Sequence, residues 1–306
     1  MRTYVSFFLD DLSPYVEGEG GELVRIDSSA LIEVLDFVRE KGLAGAVSVI
    51  PAMFGRLLTH PQNEHERRFA EAIGRLGEYP VDPHMEIMTH GRLFDFSKMT
   101  LSDGPTEMEW LDDPSVSVDE CRDYFLNTIR VGRELGIRYT GVSTPGTHPK
   151  MNPNVYKALL ELSEAGEFPN AVIPVFATIE EGRPTMAPRP REVRGDFGVY
   201  ETPSGVWDYL ASWRNSLDWV DVDHYIDEKG DGRLARMIKA GSFMALFHMH
   251  WQGLNPQMGL GWEAFQRLIE RLRSQFGDRV VWRRPSEIVC QFHRKGGRGL
   301  EGCLQG

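Results

Sequence analysis

The sequence predicts an α/β fold whose parallel sheet closes, or nearly closes, into a barrel. Three observations carry that expectation. Short apolar runs of strand length alternate with amphipathic segments of helical period, the pattern of parallel strands joined by right-handed crossovers. At least six such strand–helix units follow one another. None of the helices opens on a Gly-x-Gly-x-x-Gly turn, which disfavours a doubly wound dinucleotide-binding sheet. No linker, internal repeat or low-complexity tract divides the chain, so one domain is expected over 1–293. A glycine-rich tail over 294–306 is expected to be mobile.

Each element has its own signal. Residues 4–9 are apolar and aromatic and run straight into Asp10 and Asp11, as a buried strand does when it reaches a rim. After the Gly-rich loop 17–21, Ser28 and Ser29 read as a helix cap. Leu31, Val34, Leu35 and Val38 keep helical spacing until Gly42. Residues 44–50 form a second buried strand stopped by Pro51. A charged helix is expected over 64–76 and a short strand over 85–89, ending at His90. Residues 97–114 read as a polar connection. Residues 117–135 are a strong helix with Asp119 and Glu120 in the first turn, followed by a strand over 139–144. A helix over 154–165, a strand over 171–177, and a Gly/Pro-rich loop or hairpin over 180–205 come next. A late strand over 242–248, a helix over 262–276 and a last strand over 279–282 complete the pattern.

Composition narrows the function. Apolar residues at 41% and charged residues at 26% are ordinary globular usage, against wholesale disorder. Thirty-four basic against 45 acidic residues give a net charge of −11, which disfavours nucleic acid and anionic lipid as partners. No uncharged apolar run reaches the roughly 18–20 residues of a membrane span, and the first residues lack a secretory pattern. A cytoplasmic protein is therefore expected. Cys121, Cys290 and Cys303 are scattered and form neither a disulfide framework nor a thiolate site.

In such folds ligands bind where the strands end at their C-terminal side. Acids and imidazoles collect there: Asp10 and Asp11 on the first strand, Glu86 and His90 on the third, Ser143, Thr144, Pro145 and His148 after the fourth, and His248 and His250 on the late strand. Adjacent Asp10 and Asp11 either cap a turn or divide the work of metal ligand and general base. His84 and His90 share one face of an extended segment, as do His248 and His250. Three other patterns are set aside. Asp227 to Gly232 lacks the oxygen ligands of a calcium loop at Lys229 and Ile238. The glycines at 18–21 precede no Lys-Ser or Lys-Thr, and there is no Gly-x-Ser-x-Gly elbow.

Taken in order, these residues resemble the motifs of the NodB-homology polysaccharide deacetylases. Phe8-Leu9-Asp10-Asp11 is similar to the acid-pair motif, and Met85-Glu86-Ile87-Met88-Thr89-His90-Gly91-Arg92-Leu93-Phe94 to the histidine motif. Ser143-Thr144-Pro145 stands at the Arg-x-Pro motif, Ser216-Leu217-Asp218-Trp219 at the Asp-Trp motif, and Leu246-Phe247-His248 at the Leu-x-His motif. The resemblance spans roughly residues 3–290. It implies a distorted (β/α)7 barrel with a divalent metal, usually zinc, that removes acetyl groups from sugars. By that likeness Asp10 is the general base, Asp11 and His90 are metal ligands, and His248 is the general acid. The chain departs from the pattern at Phe94, where the second metal histidine belongs, and at Ser143, where the arginine that orients the base belongs. Replacement ligands are sought among Asp95, His84, His148 and His250, with His148 and His250 favoured.

The resulting expectation is a zinc-dependent hydrolase that takes an acyl group from a carbohydrate-like amide or ester. Glu86, Thr144 and Pro145 would line the substrate site, and Trp207, Trp213, Trp219 and Trp251 would offer stacking faces for sugar rings. Three alternatives stand beside it: a metal-independent cyclic-amide hydrolase of the allantoinase type, a non-catalytic carbohydrate-binding barrel, and a glycosidase using Asp10 and Glu86.

Overall fold

The computed structural model describes residues 2–17, 22–148, 150–210, 220–257 and 260–296. Its centre is β1 (Thr3–Leu12), nearly all of it buried. The strands that follow are β2 (Gly45–Val49), β3 (Val81–Met85), β4 (Gly141–Ser143), β5 (Val172–Phe176), β6 (Phe197–Glu201), β7 (Met244–His250) and β8 (Val280–Trp282). Their order is β6-β5-β4-β3-β2-β1-β7, with every neighbouring pair parallel. Arg189–Arg194 is added antiparallel outside β6, and β8 pairs with the start of β1. Chain order is thus kept around the wall, and β7 returns beside β1 with Asp10 opposite His250.

This is the strand order of a barrel, but paired strands do not close it. Among the described residues β6 and β7 do not pair as strands, and single bridges, Val206 with Phe247 and Met186 with Met244, are what reach β7 from that side. The backbone groups there are satisfied locally. Gly205 donates its N–H to the Leu246 carbonyl at 2.8 Å, and the buried Arg233 guanidinium donates to the Gly205 carbonyl at 2.8 Å. The described strands thus form a mostly parallel sheet in barrel order, and no closed wall is found among them.

The longer helices are α1 (Ser28–Glu40), α2 (Glu64–Gly74), α3 (Glu107–Asp112), α4 (Val118–Glu134), α5 (Pro153–Glu164), α6 (Arg233–Lys239), α7 (Leu260–Phe276) and α8 (Pro285–Lys295), with single turns at Val222–Tyr225 and Trp251–Leu254. Asp27 caps α1, one residue before the expected serines, and Ser117 with Glu120 forms a capping box on α4. One principal apolar cluster runs from Val5 to Ile288. No helix is long and apolar enough to cross a membrane among the described residues.

Three other expectations change. The third strand lies at Val81–Met85, not 85–89. Pro80, Asp82, Pro83 and His84 disguise it as a turn, yet all five of its residues are buried. His84 is consequently a core residue with its ring edge-on to Phe8 at 5.2 Å. Gly141, the residue facing it, leaves no room for a side chain there. The polar connection 97–114 contains a strand, Thr100–Thr106, paired with Arg92–Asp95, and then α3. Of the expected tail, residues 294 and 295 belong to α8, and residues 297–306 lie outside the described residues.

Candidate metal centre and cleft

The centre is assembled where β1, β2 and β3 end. The register of β1 against β2 shifts between Leu9 and Leu12, and Asp11 takes a left-handed backbone (φ 66°). A non-glycine residue there costs on the order of 1–3 kcal/mol and persists only when its surroundings hold it. They do: the Asp11 N–H donates to Glu86 Oε2 at 2.9 Å and to Ser48 Oγ at 3.2 Å. Glu86 leaves the end of β3, and the chain then turns through Ile87 (φ 45°) to His90 (φ 57°). His90 Nε2 thereby comes to 3.2 Å from Asp11 Oδ1 and 3.4 Å from Glu86 Oε1. One ligand atom from each of the three lies within 4.8 Å of the others.

Neighbouring side chains fix the three donors. Ser48 Oγ donates to Glu86 Oε2, and Gln252 Nε2 donates to Asp11 Oδ2 at 2.7 Å. The His90 loop is held by Glu107 in the first turn of α3. Its buried carboxylate accepts the backbone N–H groups of Met88 (3.0 Å), Thr89 (3.1 Å) and His90 (2.9 Å), and the Tyr124 hydroxyl at 2.8 Å. Thr106 and Glu109 form the capping box of α3, so Glu107 is free for the loop.

Electrostatics divides the acids. Burial and the neighbouring Asp11 and Asp10 push Glu86 well above the usual carboxylate range. Burial raises Asp11 too, but His90 and His250 outweigh it and hold the carboxyl low. Burial lifts Asp10 to about 7 against the charge of His250. Two oxygens and one nitrogen from three side chains, two of them buried acids facing each other, match the donor chemistry of a divalent cation. Three protein ligands leave a coordination position open, as in hydrolytic zinc sites.

A cleft of about 530 Å³ opens over this cluster. Asp11, His90, His250 and Gln252 form its polar floor, and Met53, Phe54, Leu101 and Trp207 its apolar walls. His250 is gripped by Asp208, Nδ1 to Oδ2 at 2.7 Å and backbone N–H to Oδ2 at 3.1 Å. Burial opposes its charge, but the bond to Asp208 prevails and raises the imidazole to about 9.

Other expected site residues lie elsewhere. His148 does not reach the cluster: its Nδ1 meets Asp112 Oδ1 at 2.9 Å and its Nε2 meets the Pro145 carbonyl at 2.8 Å, so both nitrogens are committed. His250 is in the cleft but stands outside the three-residue group. His248 is buried beneath Trp207, does not line the cleft, and is pushed down to about 4 by burial and by His250, so it is uncharged at neutral pH. Thr144 and Pro145 are buried beside the mouth, where Gly146 rather than either of them lines the cleft. Trp251 is a core residue donating Nε1–H to the Ser13 carbonyl at 3.1 Å, not a stacking face. Trp207 is the tryptophan that faces the cleft; Trp213, Trp219 and the segment 216–219 lie outside the described residues. Phe94 packs on Phe96 at 5.3 Å, and Asp95 binds Ser97 and Lys98 on the hairpin. Ser143 meets His84 Nδ1 at 3.3 Å.

Four supporting residues escaped the sequence reading. Ser48 sits in an apolar strand, and Gln252 and Asp208 carry no motif spacing. Glu107 lay in a stretch read as a connection, although Thr106 and Glu109 beside it spell a helix cap.

No family model and no curated protein matches the chain. Solved structures do share its fold. A protein described as a polysaccharide deacetylase from Pseudomonas aeruginosa PAO1 superposes with a TM-score of 0.56 at 14% identity, covering 96% of this chain and 92% of its own. An allantoinase superposes at 0.55 and 12% identity, covering 97% and 92%. A second protein described as a polysaccharide deacetylase, from Mycobacterium smegmatis, reaches 0.51 at 13% identity, covering 90% and 81%. The resemblance read from the motifs thus extends to the fold.

Proposed function

We propose that the protein is a divergent relative of the polysaccharide deacetylases and hydrolyses an amide or ester, with Asp11, Glu86 and His90 holding a divalent cation, most simply zinc. The observation that carries this reading is the convergence of those three side chains at the base of one cleft, with Asp11 and His90 lining it and Glu86 buried behind them. When bound, the cation supplies polarisation of an acyl oxygen and acidification of water. The chain's own groups do the rest. Asp10, buried beside Asp11 with its carboxyl lifted to about 7, is assigned the proton of the attacking water. His250, kept protonated by Asp208, donates to the leaving nitrogen or oxygen, the task the sequence had given to His248. The apolar walls exclude water from the reacting bond.

The test is hydrolysis of N- and O-acetylated sugars and of cyclic amides by zinc-loaded protein and by protein treated with chelator. Activity lost with chelator, restored by zinc, and abolished in His90→Ala supports the reading. Activity indifferent to chelator and to His90→Ala refutes the metal centre and leaves the metal-independent cyclic-amide hydrolase, a reading favoured by the allantoinase fold match.

A further inference from the structure

Five large apolar side chains are exposed among the described residues, and three of them gather at the cleft. Phe54 is 40% exposed and Trp207 41% exposed, and both line it. The Met108 methyl lies against Gly146 on the same rim, where a Cβ on the glycine would approach it to 2.9 Å. Phe54 is also held in a left-handed backbone (φ 54°), a conformation that bulky residues rarely take. An aromatic ring kept exposed at a strained position beside a candidate catalytic floor indicates a ligand contact rather than a packing role.

Arg92 is the one Lys or Arg lining the cleft among the described residues, and its guanidinium makes no hydrogen bond or ion pair with them. It follows the His90 loop directly, so its charge sits at the edge of an acidic floor. The cleft is the size of a small-molecule site, within the usual range of about 300–1,000 Å³. A polyhydroxylated chain would turn hydroxyls toward Met53, Phe54 and Leu101, where nothing pairs them.

Resting on the amide-hydrolase reading above, we infer that the substrate is a small N-acyl carboxylate with an aromatic or branched apolar body. Its carboxylate pairs with Arg92 and its body lies between Phe54 and Trp207. Hydrolysis adds the oxygen of water to the acyl carbon, breaks the carbon–nitrogen bond and returns a proton to nitrogen, releasing a carboxylic acid and an apolar amino acid.

The test compares N-acetylphenylalanine, its uncharged carboxamide, N-acetylglucosamine and tri-N-acetylchitotriose, by turnover of zinc-loaded protein and by calorimetric binding. N-Acetylphenylalanine should bind tightest. Arg92→Ala should weaken it about 10–100-fold while leaving the carboxamide unchanged, the size of a charge-assisted hydrogen bond. Phe54→Gly should weaken both aromatic ligands without loss of melting temperature, because glycine relaxes the backbone. Binding with this preference but without turnover would refute the hydrolase reading and leave the ligand class standing. Tighter binding of either sugar, equal loss of both aromatic ligands in Arg92→Ala, or no binding of N-acetylphenylalanine would overturn the ligand class.

Discussion

The Glu107 carboxylate accepts the backbone N–H of His90 at 2.9 Å, tying a candidate ligand to a helix seventeen residues away in the chain. Glu107→Ala leaves three loop N–H groups and the Tyr124 hydroxyl without their acceptor. It should destabilise the fold by about 3 kcal/mol and weaken cobalt binding about 10–100-fold. Glu107→Gln, which keeps one acceptor oxygen, should lose less than half of each. Titration followed by cobalt absorption and by thermal melting reads both; unchanged affinity in the alanine variant would mean that the loop is held by other contacts.

Asp208 sets the charge of His250. An acid with a folded-state value of about 9 is protonated below that pH, so turnover should fall as pH rises through about 9. In Asp208→Asn the imidazole loses its anionic partner and should move toward the ordinary histidine value of about 6.5. The alkaline limb of kcat should then move down in pH by one to two units. An unmoved limb would take the acid role from His250.

His148 is a structural histidine in this fold, with both nitrogens committed to Asp112 and Pro145. His148→Ala should lower stability by about 1–3 kcal/mol and leave the metal content unchanged. Loss of metal at unchanged stability would reverse that assignment.

Asp82 gives stability a pH dependence away from the site. Burial lifts its carboxyl to about 6 against hydrogen bonds from the Ser286 N–H at 2.7 Å and the Ser286 hydroxyl at 2.9 Å. A raised carboxyl holds its proton longer in the folded state. Its contribution is therefore complete below the unfolded value of about 3.9 and is lost as pH rises through about 6. Between those limits the stability of Asp82→Asn should gain on the wild type by about 1–3 kcal/mol in urea titrations. Parallel pH profiles would contradict the burial effect.

What the sequence disclosed followed from how strongly each signal was local. Apolar runs such as 4–9 and 44–50 marked β1 and β2 because a strand buried on both faces needs no polar alternation. β3 was misplaced because Pro83 and two polar residues hid a strand whose burial is decided by neighbours distant in the chain. The acids at 10 and 11 and His90 stood out by residue type. Glu86 was assigned to substrate because only the left-handed turns at Asp11, Ile87 and His90 swing it into the cluster, and backbone of that kind is not written in side-chain pattern. His148 was favoured over its true role because rim position alone does not say which way a ring turns.

The most direct test is an anomalous difference map from a zinc-soaked crystal, measured on either side of the zinc edge. One peak about 2.0–2.2 Å from a carboxylate oxygen of Asp11, a carboxylate oxygen of Glu86 and Nε2 of His90 is the expected result. A map without a peak at those three side chains, or with its peak at His148 or another histidine, would contradict the metal centre.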